Sequence, residues 1–149
     1  MIVWFTGQPG SGKSTLAAAL AVRLRVEGRQ VQVVDGDDLR QLLPNPGYDC
    51  AGRVQNVDRA QAIAAYLDQD EVVVLVALVA PYRAQRDRFK RWSGRVIEVY
   101  LHTDERRGKE QYHVADYEAP TGADLDLDTG RLTIEEATGS VHRALAAVS

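Results

Sequence analysis

The run Gly7-Gln8-Pro9-Gly10-Ser11-Gly12-Lys13-Ser14 fits G-x-x-x-x-G-K-[ST] without a mismatch. No other feature restricts the fold of this chain as much. Such a turn works between a strand and a helix. Its glycines let the backbone curl until successive N–H groups face inward at anionic oxygens, and the helix that follows adds the positive end of its dipole. The flanks meet both conditions. Ile2-Val3-Trp4-Phe5 is a short apolar run that predicts a buried strand, and Lys13 to about Glu27 is rich in Ala, Leu and Arg, with Gly28 as a stop. In this cradle Lys13 reaches the β- and γ-phosphates of a nucleoside triphosphate, and the Ser14 hydroxyl is placed to ligate Mg²⁺, an oxygen-preferring ion. The predicted ATP-binding residues are Gly7, Gln8, Pro9, Gly10, Ser11, Gly12, Lys13, Ser14 and Thr15. The motif alone does not separate kinase, GTPase and ATPase. The chain holds no Asn-Lys-x-Asp guanine-reading sequence, and no apolar strand ends in the Asp-Glu pair of an ATPase motor.

Further along, strand and helix patterns alternate. Val31 to Asp35 predicts a second strand, and Asp38 to Leu43 a short helix stopped by Pro44 and Pro46, with a loop over 44–52. Arg53 to Leu67 has helical spacing, with Val57, Ala60, Ile63, Ala64 and Leu67 apolar. Glu71 to Ala80 is the strongest strand signal, apolar without alternation, as expected where helices cover both faces. A helix over Arg83 to Trp92, a strand over Arg95 to Leu101, a polar mobile loop over 103–124, a short strand over Leu125 to Asp128 and a final helix from the capping-box-like Thr133-Ile134-Glu135-Glu136 to about Ala147 complete the reading. The fold class that follows is α/β: a three-layer sandwich on a doubly wound parallel sheet of about five strands, the P-loop NTPase fold, as a single domain over residues 1–149.

Composition excludes several classes. The 149 residues are 45% hydrophobic and 26% charged, with a net charge of −3, so a packed core is expected and the cationic face of a nucleic-acid binder is not. Cys50 is the one cysteine, which rules out an internal disulfide framework. No basic segment precedes a long apolar run, and no apolar run approaches the length of a membrane span. A cytoplasmic setting, no membrane partner and a first strand with no extension before it are the corresponding expectations. His102, His113 and His142 lack ligand spacing and read as surface or loop residues; Trp4 and Trp92 read as packing residues.

Asp35-Gly36-Asp37 closes the second strand, where the ligand crevice of a doubly wound sheet lies. Two carboxylates beside a phosphate cradle suit Mg²⁺ ligation or orientation of an attacking hydroxyl; a turn with a helix N-cap explains the same residues. Arg53, Asn56 and Arg59 share one broad helix face. Planar guanidinium groups suit phosphate and sulfate oxygens, although a solvated helix face is the alternative. Arg83, Arg86 and Arg88 follow the strongest strand and reach either the crevice or solvent.

Taken together these residues resemble the adenylylsulfate (APS) kinase family. Val34-Asp35-Gly36-Asp37-Asp38-Leu39-Arg40 is similar to its D-G-D-N-x-R segment, Gly47-Tyr48-Asp49 stands where it has Gly-Phe-Ser, and Arg53 to Arg59 resembles its R-x-x-N-I-x-R helix. Val79 to Asp87 resembles I-S-P-Y-R-x-x-R-D, Tyr117-Glu118-Ala119-Pro120 is its Y-E-A-P, and Asp128-Thr129 falls at its late D-T. The resemblance runs through nearly the whole chain in order. It implies transfer from MgATP to the 3′-hydroxyl of adenosine 5′-phosphosulfate. By the same resemblance Asp37 and Lys13 are catalytic, Asp37 orienting or deprotonating the hydroxyl, and Ser14 and Asp37 hold the metal. Asp35, Arg40, Arg53, Asn56 and Arg59 lie on the acceptor side, Tyr48 and Tyr112 stack on the acceptor adenine, and a homodimer is the implied assembly.

Two departures stand out. Ala80 replaces the family serine before Pro-Tyr-Arg, which excludes a phosphoserine there. The long basic helical lid is cut to Thr103–Asp116, with Arg106, Arg107, Lys109 and Tyr112 left in it. A short lid weakens water exclusion, so two other readings stay open: a kinase of another small alcohol, and a non-catalytic ATP-binding regulator.

Overall fold

The computed structural model describes residues 1–69 and 71–149. Five parallel strands form one sheet in the order β2-β3-β1-β4-β5, where β1 is Ile2–Thr6, β2 Val31–Asp35, β3 Val73–Ala77, β4 Val96–His102 and β5 Leu125–Asp128. The helices are α1 (Lys13–Val26), α2 (Gly36–Leu42), α3 (Cys50–Leu67), α4 (Arg83–Ser93) and α5 (Ile134–Val148), with a 3₁₀ turn over Glu110–Tyr112.

Strand alternation sorts the core into two layers. Val3 and Phe5 of β1 and Leu75 of β3 face Leu16, Leu20 and Leu24 of α1 and Val141 and Leu145 of α5. Ile2 and Trp4 of β1 and Val74 and Val76 of β3 face Leu39 of α2, Val57, Ala60 and Ala64 of α3, and Phe89 of α4. Each fully buried Leu or Phe here stabilises the fold by about 1.5–3 kcal/mol relative to exposure, which holds β1 rigid where its C-terminal end enters the cradle. The three-layer α/β arrangement expected from the sequence is the one observed.

Boundaries differ where capping and long-range contacts decide them. Helix α3 starts at Cys50, inside the expected loop, because the Asp49 carboxylate accepts a hydrogen bond from the Gly52 amide at 2.8 Å and caps it. Strand β3 covers less than the apolar run: Leu78 to Ala80 leave the sheet, and Ala80 adopts φ +45°. This left-handed conformation costs an alanine about 1 kcal/mol. It is held by Arg86, whose Nη1 donates to the Ala80 carbonyl at 2.6 Å. Arg86 is therefore neither a crevice nor a solvent residue. It is 4% exposed and pairs with the equally buried Glu98 at 3.2 Å, while Nη2 donates to the Glu118 carbonyl. Arg83 donates to the Ala119 carbonyl through Nε and Nη2, and its amide to Glu118 Oε1. The two arginines of the Pro-Tyr-Arg segment thus hold the Tyr-Glu-Ala-Pro segment by its backbone. Trp4 is buried as expected, whereas Trp92, expected to pack, is 70% exposed and lies tilted beside Phe89 with ring centroids 5.9 Å apart.

Removing Arg86 leaves the buried Glu98 carboxylate with Lys90, at 3.3 Å, as its remaining cation among the described residues, and takes the side-chain donor from the Ala80 and Glu118 carbonyls. Arg86→Ala is expected to lower unfolding free energy by about 3–5 kcal/mol in urea denaturation; a loss under about 1 kcal/mol would show that the pair is not desolvated.

Candidate active site

Residues 7–12 turn sharply from β1 into α1, and Gly12 sits at the helix N-cap with φ +105°, a conformation that L side chains rarely adopt. Lys13 points back into this turn, its ammonium donating to the carbonyls of Gly7 (3.1 Å) and Gln8 (2.9 Å). Burial lowers its pKa to about 8, although Asp35 and Asp37 pull it upward. Ser14 Oγ donates to Asp35 Oδ2 at 2.6 Å, and the other oxygen of the same carboxylate accepts from the Asp37 amide at 2.9 Å, capping α2. Asp35 thereby does both things its sequence context allowed: it caps a helix and faces the cradle. Asp37 is exposed, one residue into that helix. Between them Gly36 lies against Leu78, where a Cβ would come within 2.0 Å of Leu78 Cδ1, so a side chain here would force Leu78 to shift. Thr15 follows on the first, exposed turn of α1.

Opposite the acids lie the predicted acceptor residues. Arg40 donates to Asn45 Oδ1 (2.9 Å) and the Gly47 carbonyl (2.6 Å), and its guanidinium sits 4.0 Å from the Tyr48 ring centroid. Its pKa is lowered, by burial first, with Arg53 and Arg59 also contributing by repulsion. Three guanidiniums therefore share one region, an arrangement that favours an anion. Tyr48 is 62% exposed, so the face away from Arg40 is open to a flat ring. Asn56 is buried, its Nδ2 donating to the Gly36 carbonyl at 3.3 Å while Oδ1 lacks a partner among the described residues. Arg59 donates to the Pro44 carbonyl at 2.6 Å. Arg53 lies 3.8 Å from Asp116. The arginine helix face is thus engaged across elements, not merely solvated.

Sequence reasoning did not find how the shortened lid is fixed. Gln8 does not turn its side chain to a phosphate: Nε2 donates to the Val114 carbonyl at 2.9 Å and Oε1 accepts from the Val114 amide at 2.8 Å. Arg107 Nη1 donates to the Gly10 carbonyl at 3.0 Å and Nη2 to the Thr129 carbonyl at 2.9 Å, while Thr129 Oγ1 donates to the Ser11 carbonyl at 2.7 Å. Tyr117 hydrogen-bonds Thr6 at 2.9 Å and stacks on Tyr100; burial pushes its hydroxyl up to about 12, so it stays neutral. Residues 103–124 were expected to be a mobile loop; Arg107, Val114 and Tyr117 instead tie this segment to the cradle and the end of β1. The expected second aromatic, Tyr112, is exposed on this segment with Lys109 Nζ 6.0 Å from its ring centroid. Lys109 in turn approaches Gly10. No periodicity marks these ties; the basic residues retained in the lid were the one available signal. A cavity of about 180 Å³ lies between this segment, the cradle and the end of β4.

The family model for adenylylsulphate kinase matches residues 1–116. The chain belongs to the adenylylsulphate kinase family. It is 32% identical to a probable adenylyl-sulfate kinase of Pseudomonas aeruginosa over an alignment covering 95% of this chain and 75% of that one. It is 33% identical to the adenylyl-sulfate kinase of Halothermothrix orenii, covering 93% and 85%. The Mycobacterium tuberculosis APS kinase CysC, solved in complex with AMPPNP and APS, superposes with a TM-score of 0.87 at 28% identity, covering 97% of this chain and 96% of that one. A shikimate kinase from Aquifex aeolicus shares the fold at TM-score 0.61 and 16% identity. No helix among the described residues is long and apolar enough to cross a membrane.

For this adenylylsulphate kinase family member the lowered Lys13 pKa has a measurable consequence. At pH 8 about half of the amines are neutral, and a bound triphosphate raises the pKa, so ATP binding should take up about half a proton. Calorimetry in two buffers of different ionisation enthalpy should show that uptake at pH 8 and its disappearance near pH 6.5; equal apparent enthalpies at pH 8 would contradict it.

Proposed function

We propose that this chain is an ATP-dependent kinase that transfers the γ-phosphate to the 3′-hydroxyl of adenosine 5′-phosphosulfate. One observation carries the reading: Asp35-Gly36-Asp37 separates a complete phosphate cradle from a cluster of three arginines beside an open tyrosine face. A donor phosphate and an anionic, purine-bearing acceptor therefore meet over a carboxylate.

The cradle amides and Lys13 bind the β- and γ-phosphates. To do so the ammonium exchanges the Gly7 and Gln8 carbonyls for phosphate oxygens. On the other side Arg40, Arg53, Asn56 and Arg59 receive the phosphosulfate, and Tyr48 stacks on the adenine while Tyr112 offers a second aromatic face from the lid. Asp37, exposed at the start of α2, accepts the proton of the 3′-hydroxyl. The 3′-oxygen then forms the bond to γ-phosphorus as the bond from γ-phosphorus to the β–γ bridging oxygen breaks and ADP leaves. Ser14 Oγ and the Asp35 carboxylate, 2.6 Å apart, are hard oxygen donors that fit Mg²⁺, with Asp37 close by. When bound, the ion neutralises charge on the transferring phosphoryl oxygens. The lid contributes Arg107 at the rim of the cradle.

A coupled assay with ATP and APS, run beside other small alcohols, tests the assignment. Turnover should be confined to APS; folded, ATP-binding protein that does not phosphorylate APS would overturn it. Within that assay Asp37→Ala should reduce kcat at least about 100-fold and leave ATP affinity within about threefold. An equal collapse of ATP binding would make Asp37 chiefly a metal ligand. Tyr48→Ala should raise the KM for APS about tenfold, in line with the worth of base stacking, and leave that for ATP unchanged.

A further inference from the structure

The acceptor pocket already contains a carboxylate that belongs to the lid. Asp116 Oδ1 lies 3.8 Å from Arg53 Nη1, and Oδ2 accepts from the Tyr82 hydroxyl at 2.9 Å. The backbone on either side is fixed, by Gln8 at Val114 and by the Glu118 amide, which donates to the Pro81 carbonyl at 2.8 Å. Only the side chain is free to move, and at 57% exposure it has room to do so. Arg53 is closer to buried, at 27%. We propose that Asp116 is the resident counter-ion of the acceptor pocket: it occupies Arg53 and competes with every acceptor anion for that guanidinium.

The physical case is a competition. Arg53 and Arg59 both repel the Arg40 guanidinium, so the empty pocket gains from a nearby negative charge. A single carboxylate at 3.8 Å is a weak occupant, since exposed pairs of that kind contribute little. A ligand that offers several oxygens to planar guanidinium groups gains more and drives Asp116 off Arg53 toward Tyr82 and solvent. The opposing charge thus weakens the pocket for any anion by the cost of displacing it, and a ligand with further contacts to Arg40, Arg59 and Tyr48 still binds. This inference rests on reading the arginine cluster as the acceptor's anion site.

Asp116→Asn keeps the size of the side chain and an acceptor for the Tyr82 hydroxyl while removing the charge; Asp116→Glu keeps the charge. Because Asp116 is exposed, neither change opens the core. Inorganic sulfate is titrated with MgADP filling the cradle, and binding is followed by the NMR signal of Arg53 Nε. Asp116→Asn should bind sulfate about 3–10-fold tighter than the wild type, and Asp116→Glu should match it. In the kinase assay Asp116→Asn should lower the KM for APS by a comparable factor with the KM for ATP unchanged. Unchanged or weaker sulfate binding in Asp116→Asn would overturn the proposal. A parallel shift in the KM for ATP would do the same, by showing a general disturbance of the lid. Wild-type protein that turns over no APS would refute the functional reading instead, and the sulfate titration would still decide the role of Asp116.

Discussion

The structure depends on a turn that keeps a lysine amine out of water with only carbonyls for partners. Lys13 is held by Gly7 and Gln8, and its lowered pKa reflects burial that outweighs the pull of Asp35 and Asp37. A group in that condition is a receptor for anionic oxygen. The conformation persists because β1 is buried on both faces and α1 is fastened to the sheet by Leu16, Leu20 and Leu24. The hydrophobic layers therefore hold the cradle in place, and the cradle supplies the chemistry.

Around this centre the loops are organised by long-range polar ties. Arg83 and Arg86 grip residues 118–119, Gln8 grips residue 114, and Arg107 and Thr129 close on the turn itself. A lid without its long helix has little apolar surface to bury, so backbone hydrogen bonds take over the task of placing it. The result is a short segment that links the donor cradle, through Gln8, with the acceptor pocket, through Asp116.

The parts legible in the sequence are those set by local rules. The cradle motif, the apolar runs of β1 and β3, and the alternation that gives a parallel sheet all read directly from nearest-neighbour chemistry. Asp35 was legible as an acid at a strand end, and its cap on Asp37 follows from the same Asp-Gly-Asp. What stayed hidden depends on partners far along the chain. Arg86 looks like any helix arginine until Glu98 and the Ala80 carbonyl arrive beside it. Gln8 looks like a variable position in the motif until Val114 meets it. The start of α3 was signalled by Asp49 and obscured by the glycines around it.

The central claim is that the cradle and the arginine pocket present two ligands to each other across Asp37. The most direct measurement is a crystal structure with a non-hydrolysable ATP analogue and APS bound together. The account predicts the triphosphate inside residues 7–14, with Lys13 turned onto it. The acceptor 3′-oxygen should lie about 3–3.5 Å from γ-phosphorus and in line with the bridging oxygen, within hydrogen-bond reach of Asp37. A triphosphate lying outside the turn, or a 3′-hydroxyl facing away from Asp37, would contradict it.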